Sequence, residues 1–122
     1  MPPAIELPTP IPAELAELIA ARLRVIGDPT RIRILDLLRE EELSVTQITE
    51  RLRTSQQNAS KHLGILLGAG IIARRKQGNS SIYSIADAGV YELCEQVCGG
   101  LQSQLAELTA LVGGGRGRGS NN

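Results

Sequence analysis

Residues 55–62 (SQQNASKH) carry amide, hydroxyl and cationic side chains at spacings that place several of them on one helical face. Glutamine and asparagine amides can pair with the edge of adenine, and lysine can contact guanine or a phosphate. The apolar positions Ala59, Leu63 and Leu66 recur three to four residues apart and predict a buried stripe on the other side. The outward face, which contains no acid, consists of Gln56, Gln57, Ser60, Lys61 and Gly64. These residues could read base edges in a nucleic acid duplex.

The charge distribution points to the same kind of partner. The chain of 122 residues has 13 Lys+Arg and 13 Asp+Glu, so its formal net charge is zero. Residues 51–86 nevertheless contain six bases and no acid. An acid-free cationic surface is typical of a protein that binds a polyanion, and the alternative is a chance run of bases on a solvated face. The six bases are Arg51, Arg53, Lys61, Arg74, Arg75 and Lys76.

Two helices joined by a short turn are predicted to position the outward face. Ser44 and Gln47 have capping-box spacing, which predicts a helix that starts at the next residue. Thr54 or Ser55 then caps a second helix that ends near residues 68–70. Helix, short turn and helix is the helix-turn-helix arrangement, whose second helix enters the major groove of DNA.

Two more helices are predicted upstream of this pair. Apolar residues form a helical stripe over residues 15–26, and Gly27 ends it. Asp28 is a favoured N-cap and Pro29 a favoured first helical residue, so a second helix is expected to begin there. Its buried face is expected to consist of Ile34, Leu35 and Leu38.

A β-hairpin is predicted after the helix pair. Two β-prone runs, residues 71–76 and 81–85, flank the turn sequence Gln-Gly-Asn-Ser at 77–80. Three consecutive bases on the first run are typical of a wing that lies along the phosphate backbone. The alternative is a solvated edge strand that uses cations to prevent aggregation. The predicted wing contacts are Arg74, Arg75, Lys76, Asn79 and Ser80.

A long helix is predicted from about Asp87 to Val112. Its apolar stripe is too large for a monomer of this size to cover, so we expect it to pair with a partner subunit. Gly99 and Gly100 interrupt the pattern, which predicts a kink or the close approach of another helix. The stripe consists of Val90, Leu93, Val97, Leu101, Leu105, Leu108 and Leu111.

The chain therefore divides into three parts. Residues 1–12 contain five of the six prolines and are expected to form a flexible arm. Residues 13–112 form the predicted DNA-binding and dimerisation domain. Residues 113–122, rich in glycine with two arginines, are expected to be a disordered tail.

At the level of motifs the chain resembles the ArsR/SmtB family of bacterial repressors. The resemblance spans about residues 13–110 and rests on DPTRIRIL at 28–35, SQQNASKHL at 55–63, GIIARRKQG at 70–78 and IYSI at 82–85. It implies a mainly α winged helix-turn-helix fold with a small β-hairpin wing. It also implies a homodimer, built from the first and last helices, that binds a pseudo-palindromic operator and leaves it when an inducer binds.

The candidate DNA-binding set combines the second helix of the pair with the wing. His62 has two open interpretations, because it could contact a phosphate or pack at the helix-turn-helix junction. The set consists of Ser55, Gln56, Gln57, Asn58, Ser60, Lys61, His62, Arg74, Arg75, Lys76, Asn79 and Ser80.

The resemblance does not carry over a metal site, so we expect no metal and no cofactor. The family's cysteine positions at the start of the third helix are Ser44 and Thr46 here, and hydroxyls bind soft cations poorly. Asp87 matches the first ligand of another family site, but the following positions include Gly89 and Gly100.

Cys94 and Cys98 have two open interpretations. Their spacing places them on one helical face, on or beside the apolar stripe. They could pack as small hydrophobic residues, or they could sense trivalent arsenic or an oxidant.

Other function classes are disfavoured. No nucleophile–base pair, phosphate loop or metal cluster supports an enzyme. A winged-helix module that binds only protein would carry acids or large apolar residues on the outward face. The longest apolar stretch, residues 63–73, has 11 residues, too few to span a membrane, and no secretory signal is evident, so we expect a cytoplasmic protein. A repressor without a small inducer remains open.

Overall fold

The computed structural model describes residues 6–113, which contain five helices and three strands. Residues 6–87 form one compact unit, and the last helix forms a second. Residues 6–12 contain no helix or strand, whereas the rest of the predicted arm and nearly all of the predicted tail lie outside the described residues. The elements are α1 (Ala13–Ile26), α2 (Pro29–Glu40), β1 (Leu43–Ser44), α3 (Val45–Leu52), α4 (Gln56–Gly68), β2 (Ile72–Gln77), β3 (Ser80–Ile85) and α5 (Ala88–Gly113).

The start of α2 is set by local chemistry, as predicted. Asp28 Oδ1 accepts hydrogen bonds from the backbone N–H groups of Thr30, at 2.8 Å, and Arg31, at 3.1 Å. Pro29 occupies the first helical position. A backbone N–H at this position has no partner within the helix, so proline, which lacks this group, costs no hydrogen bond there. The predicted inner face is buried and consists of Ile34, Leu35 and Leu38.

The helix pair α3 and α4 is confirmed. The N–H of Gln47 donates to Ser44 Oγ at 3.2 Å, and the N–H of Ser44 donates to Gln47 Oε1 at 2.9 Å, which completes the capping box. Arg53 ends α3 in the left-handed conformation with φ 55°. Ser55 then caps α4, its Oγ accepting a bond from the N–H of Asn58 at 3.0 Å.

The predicted hairpin is part of a three-stranded antiparallel sheet. β2 and β3 pair in the expected order, and Gly78 turns the chain with φ 64°. The third strand, β1, was not predicted. It pairs with the far edge of β3, placing Leu43 opposite Tyr83, so the strand order is β1-β3-β2. A strand of two residues is too short for alternation to reveal it.

The core of the first unit lies between α2, α3, α4 and the sheet, and it fixes the rotation of α4. Ala59, Leu63 and Leu66 are almost completely buried, as predicted. Burial of each leucine stabilises this orientation by about 1.5–3 kcal/mol. The opposite face of α4 must therefore point to solvent. The largest fully buried side chains are Ile34, Leu35, Leu43, Ile48, Leu63, Leu66 and Ile71.

The second unit is the helix α5, which is 26 residues long. The helix continues through Gly99 and Gly100, and among the described residues a Cβ at either position would meet no atom of another element within 4 Å. The two glycines therefore do not end the helix, and a kink or the approach of a partner subunit's helix at this point stays a prediction. Most of the stripe is exposed in the single chain, namely Leu93, Val97, Leu101, Leu105, Leu108 and Leu111. Within residues 6–113, no helix has the length and hydrophobicity that a membrane-spanning segment requires.

Candidate nucleic-acid interface

The outward face of α4 is exposed and chemically available. Gln57 and Lys61 lie one helical turn apart, and neither side chain forms a hydrogen bond or an ion pair with another described residue. Their amide and ammonium groups can therefore meet base edges without breaking an internal bond. The exposed residues of this face are Ser55, Gln56, Gln57, Ser60, Lys61 and Gly64.

Two residues of the predicted DNA-binding set stabilise the beginning of α4. Ser55 provides the N-cap, and Asn58 Nδ2 donates to Thr54 Oγ1 at 2.9 Å. Asn58 is half-buried as a result. These bonds orient the first turn of the helix, while direct DNA contact by either residue stays a prediction.

His62 is buried, so its placement among the DNA-facing residues is corrected. Its Nδ1 lies 3.0 Å from Arg31 Nη1 and 3.8 Å from Asp28 Oδ1. Arg31 also donates through Nε to the carbonyl of Val25 at 2.6 Å. The guanidinium therefore joins the end of α1 to the middle of α4 through His62. This is the packing role at the helix-turn-helix junction.

Asp28 belongs to the same cluster, and its environment favours the ionised carboxylate. Partial burial raises the pKa of Asp28, but the backbone bond from Arg31 and the charges of Arg31 and His62 outweigh this effect. The pKa therefore lies below its usual value. Such a carboxylate stabilises the fold above its unfolded-state pKa, and the contribution is lost as the pH falls through the folded-state pKa.

Replacing Asp28 with alanine is expected to lower the free energy of unfolding by about 1–2 kcal/mol at pH 7, because α2 loses its N-cap. The difference from the wild type should begin to shrink below about pH 4, where the unfolded-state carboxylate is protonated, and shrink further as the pH falls through the lowered pKa of the folded-state carboxylate. Urea denaturation at several pH values measures both effects. Asp36→Ala, which removes an exposed carboxylate from the same helix, should cost less than about 0.5 kcal/mol. An Asp28→Ala difference that does not change with pH would contradict this account.

The three bases of the predicted wing are not equivalent. Arg75 Nη2 lies 2.5 Å from Glu42 Oε1, and Nη1 donates to Gln77 Oε1 at 2.7 Å. Arg74 and Lys76 point to the other side of β2, are exposed, and have no ion-pair partner within residues 6–113. As far as residues 6–113 are concerned, the wing therefore offers two unpaired cations and one that is neutralised by a carboxylate.

A second base of the acid-free segment is paired in the same way. Arg51 Nη1 lies 2.7 Å from Glu41 Oε2. Both acids precede the segment in sequence, which is why the composition of residues 51–86 did not reveal them. Among the described residues, the cations of the segment that remain unpaired are Arg53, Lys61, Arg74 and Lys76.

Replacing Glu42 with glutamine is expected to raise affinity for random duplex DNA about three- to tenfold at 0.1 M salt, because Arg75 becomes free to displace a counterion. The dependence of log affinity on log salt should steepen by about 0.9 per protomer. Fluorescence anisotropy titrations over a salt series measure both. The control is the same change in an Arg75→Gln background, where the gain should vanish. A gain that persists there would assign the effect to the net charge of the protein and not to the ion pair.

Comparison with known proteins identifies the fold and the family. A family model described as a helix-turn-helix domain matches residues 26–75. Rv0081 of Mycobacterium tuberculosis, an uncharacterized HTH-type transcriptional regulator, is 40% identical over 80 residues, which are 65% of this chain and 70% of Rv0081. The crystal structure of Rv0081 matches this structure with a TM-score of 0.74 at 35% sequence identity. The match covers 81% of this chain and 100% of the Rv0081 chain.

Two further proteins connect the chain to a named family. The HTH-type transcriptional repressor SmtB of M. tuberculosis is 34% identical over 66% of this chain and 59% of SmtB. The homodimeric winged helix-turn-helix domain of Mb0332 from Mycobacterium bovis, described as a possible ArsR-family transcriptional regulator, has a TM-score of 0.70 at 27% identity. It covers 78% of this chain and 88% of that one. This chain belongs to the ArsR/SmtB family of helix-turn-helix transcriptional regulators. Proteins of this family are regulators and not enzymes.

The positions that the ArsR/SmtB resemblance associates with metal ligands have other roles or no side chain here. Ser44 is used in the capping box, and Gly89 and Gly100 offer no donor atoms. Asp87 Oδ2 lies 2.5 Å from Arg22 Nη2. Within residues 6–113 no group of three or more His, Cys, Asp and Glu residues is placed to hold a metal ion. Independence from a metal stays a prediction.

The two cysteines of α5 differ in accessibility. Cys94 is half-buried and Cys98 is exposed, and both are free thiols. Burial raises the pKa of the Cys94 thiol, which lowers its thiolate fraction at neutral pH. Cys98 is therefore expected to react first with any thiol reagent.

Sequence reasoning missed Arg22 and Glu42. Arg22 bonds to residues 47 and 65 positions away, and Glu42 pairs across 33 positions. No local motif marks such contacts. The only available signal was that Glu42 directly precedes the buried Leu43, but the pairing of β1 with β3 was itself not predicted.

Proposed function

We propose that this protein is a transcriptional repressor that binds a pseudo-palindromic operator as a homodimer, with α4 of each protomer in the major groove. The observation that carries the proposal is the outward face of α4, which is exposed and acid-free, and whose Gln57 and Lys61 side chains form no bond with any other described residue. Membership in a family of DNA-binding regulators supports it. Such a regulator acts in the cytoplasm.

The roles of the contacts divide by chemistry. Gln57 and Lys61 are proposed to read base edges, since amide and ammonium groups in the major groove distinguish base pairs. Arg74 and Lys76 are proposed to hold phosphates, which fixes the register without carrying sequence information. Arg75 contributes only after it leaves Glu42.

The dimer is proposed to form through α1 and α5. Leu18 and Leu23 of α1 are 68% and 49% exposed, and Leu105 of α5 is 62% exposed. Apolar stripes of this extent are typical of surfaces that a partner covers. The homodimeric state of the Mb0332 domain supports the same arrangement.

Selection from a random duplex library, followed by sequencing, tests the proposed function. The retained DNA is expected to contain an inverted repeat whose half-site centres lie about 10 base pairs, or one helical turn, apart. Affinity for this operator should exceed affinity for a shuffled duplex at 0.15 M salt. Equal affinity for both would overturn the proposal, as would retention of single strands only. The position of the operator in the source genome would also identify the regulated genes.

A thiol-reactive agent is proposed as the regulatory signal, and its reaction with the α5 thiols is proposed to release the protein from DNA. This proposal is based on Cys94 and Cys98, which lie one turn apart on the helix that carries the exposed stripe. Trivalent arsenic or a thiol oxidant is expected to lower operator affinity at least tenfold, or about 1.4 kcal/mol. The variant Cys94→Ser with Cys98→Ser should bind normally and ignore both agents. An identical response of wild type and variant would show that the cysteines only pack. Zinc, cobalt and nickel at micromolar concentrations should not release the wild-type protein or the double serine variant from the operator.

A further inference from the structure

The side chain of Arg22 joins three parts of the first unit. From α1, Nη1 donates to the carbonyl of Ala69 at 2.6 Å, and Nη2 donates to Asp87 Oδ2 at 2.5 Å. Ala69 is the C-cap of α4, and Asp87 is the residue directly before α5. We propose that Arg22 is a positioning residue that fixes the C-terminal end of the DNA-reading helix against α1 and the chain entering α5. This inference rests on the proposed function.

The backbone provides an independent link at the same place. The carbonyl of Ile71 accepts bonds from the N–H groups of Ala86, at 2.9 Å, and Asp87, at 3.1 Å. The N–H of Ile71 in turn donates to the carbonyl of Leu66 in the last turn of α4 at 3.0 Å. The end of α4 and residues 86–87 are therefore tied together without any side chain. Arg22 adds α1 to this junction.

Arginine suits this position because its planar guanidinium presents several donors in a fixed arrangement. The last carbonyls of a helix have no intrahelical partner and carry partial negative charge, so they favour a cation. Asp87 supplies the second acceptor. A lysine ammonium would keep the charge, but it lacks the planar fork that holds two separate acceptors in fixed directions.

The energetics favour a geometric role over a stabilising one. The side chains of Arg22 and Asp87 are 39% and 38% exposed, and an ion pair of such exposure contributes little to folding stability. The body of α4 is held by the buried Ala59, Leu63 and Leu66, which do not depend on Arg22. Loss of Arg22 should therefore leave the protein folded, but the C-terminal end of α4 would no longer be held against α1, so α4 could tilt about its buried part.

Small changes in the direction of α4 matter at the other end of the helix. Gln57 lies about 9 Å along the helix axis from the buried Leu63, so a tilt of about 5° about this buried part of α4 moves Gln57 by about 0.8 Å. A hydrogen bond to a base edge tolerates only a few tenths of an ångström. Phosphate contacts by long, flexible side chains tolerate more. Misplacement should therefore reduce sequence-specific binding more than binding to random DNA.

The experiment compares Arg22→Met with Arg24→Met, which removes the same charge from an exposed position on the same helix. Each protein is titrated with the selected operator and with a random duplex. Arg22→Met is expected to lose at least tenfold for the operator and less than twofold for random DNA, whereas Arg24→Met should lose less than twofold for both. Arg22→Lys should stay at least fivefold weaker on the operator. Full rescue by lysine, or equal losses on both DNAs, would overturn the positioning role.

Amide hydrogen exchange of the free protein tests the junction without DNA. In Arg22→Met the amides of residues 70–71 and 86–87 are expected to exchange at least tenfold faster, with no change in Arg24→Met. Unchanged exchange would overturn the inference. Asp87→Asn weakens one of the two hydrogen bonds that Arg22 donates, so it should also accelerate exchange of these amides. This variant replaces Arg22→Met in the experiment if Arg22→Met does not fold. A wild type that prefers no duplex would instead overturn the proposed function, so the two failures are distinct.

Discussion

Lys61→Ala and Gln57→Ala are each expected to weaken binding to the selected operator by about 1–3 kcal/mol, or roughly 5- to 150-fold. Both side chains are exposed on the acid-free face of α4, and neither forms a bond with another residue in the described part of the chain. Each truncation removes donors or acceptors that meet one base pair. The preference for that base pair should be lost while preferences elsewhere in the operator remain. Titration against operators substituted at single positions measures this.

Lys76→Ala is the matched control, since it removes the same type of side chain from the wing. Binding to operator and to random duplex should weaken by the same factor, and the salt dependence should flatten by about 0.9 per protomer. If Lys61→Ala showed this uniform loss and Lys76→Ala changed sequence preference, the proposed roles of α4 and the wing would be reversed.

Leu105→Glu is expected to convert the protein to a monomer and to reduce operator affinity at least 100-fold. Leu105 lies near the middle of the exposed α5 stripe and is 62% exposed in the single chain. If the stripe packs against its symmetry mate, the substitution introduces a carboxylate from each protomer into an apolar seam, where unpaired charges cost several kcal/mol. A monomer also engages only one half-site at a time, so the gain from simultaneous binding disappears. Light scattering and operator titration measure the two effects.

Ala106→Glu provides the control, because position 106 lies on the opposite side of α5 and glutamate favours helix formation. This variant should remain a dimer and bind the operator within about twofold of the wild type. A monomeric wild type, or a Leu105→Glu variant that remains a dimer, would contradict the proposed interface.

Local signals in the sequence predicted most of the fold. The capping box at Ser44 and Gln47, the N-cap at Asp28 and the apolar spacing of Leu63 and Leu66 each depend on residues within one or two turns. The hydrogen bonds and apolar contacts that produce these features form between residues that are close in sequence. The helix-turn-helix pair and the hairpin could therefore be predicted with nearly correct bounds.

Features that depend on long-range pairing were not predicted. β1 forms only because Leu43 reaches Tyr83, forty positions along the chain. The pairing of β1 with β3 also brings Glu42 next to Arg75, so this arginine of the wing forms an ion pair. His62 illustrates an intermediate case, since its type and position allowed two roles and only its burial beside Arg31 distinguishes them.

A change in half-site spacing tests whether two copies of α4 bind one operator together. The wild-type protein is titrated with the selected operator and with the same operator carrying five base pairs inserted between its half-sites. The insertion rotates one half-site by about half a helical turn, so a dimer can no longer place both helices in their grooves. We expect affinity to fall at least 100-fold, to within about tenfold of random duplex. Equal affinity for the two operators would contradict the account.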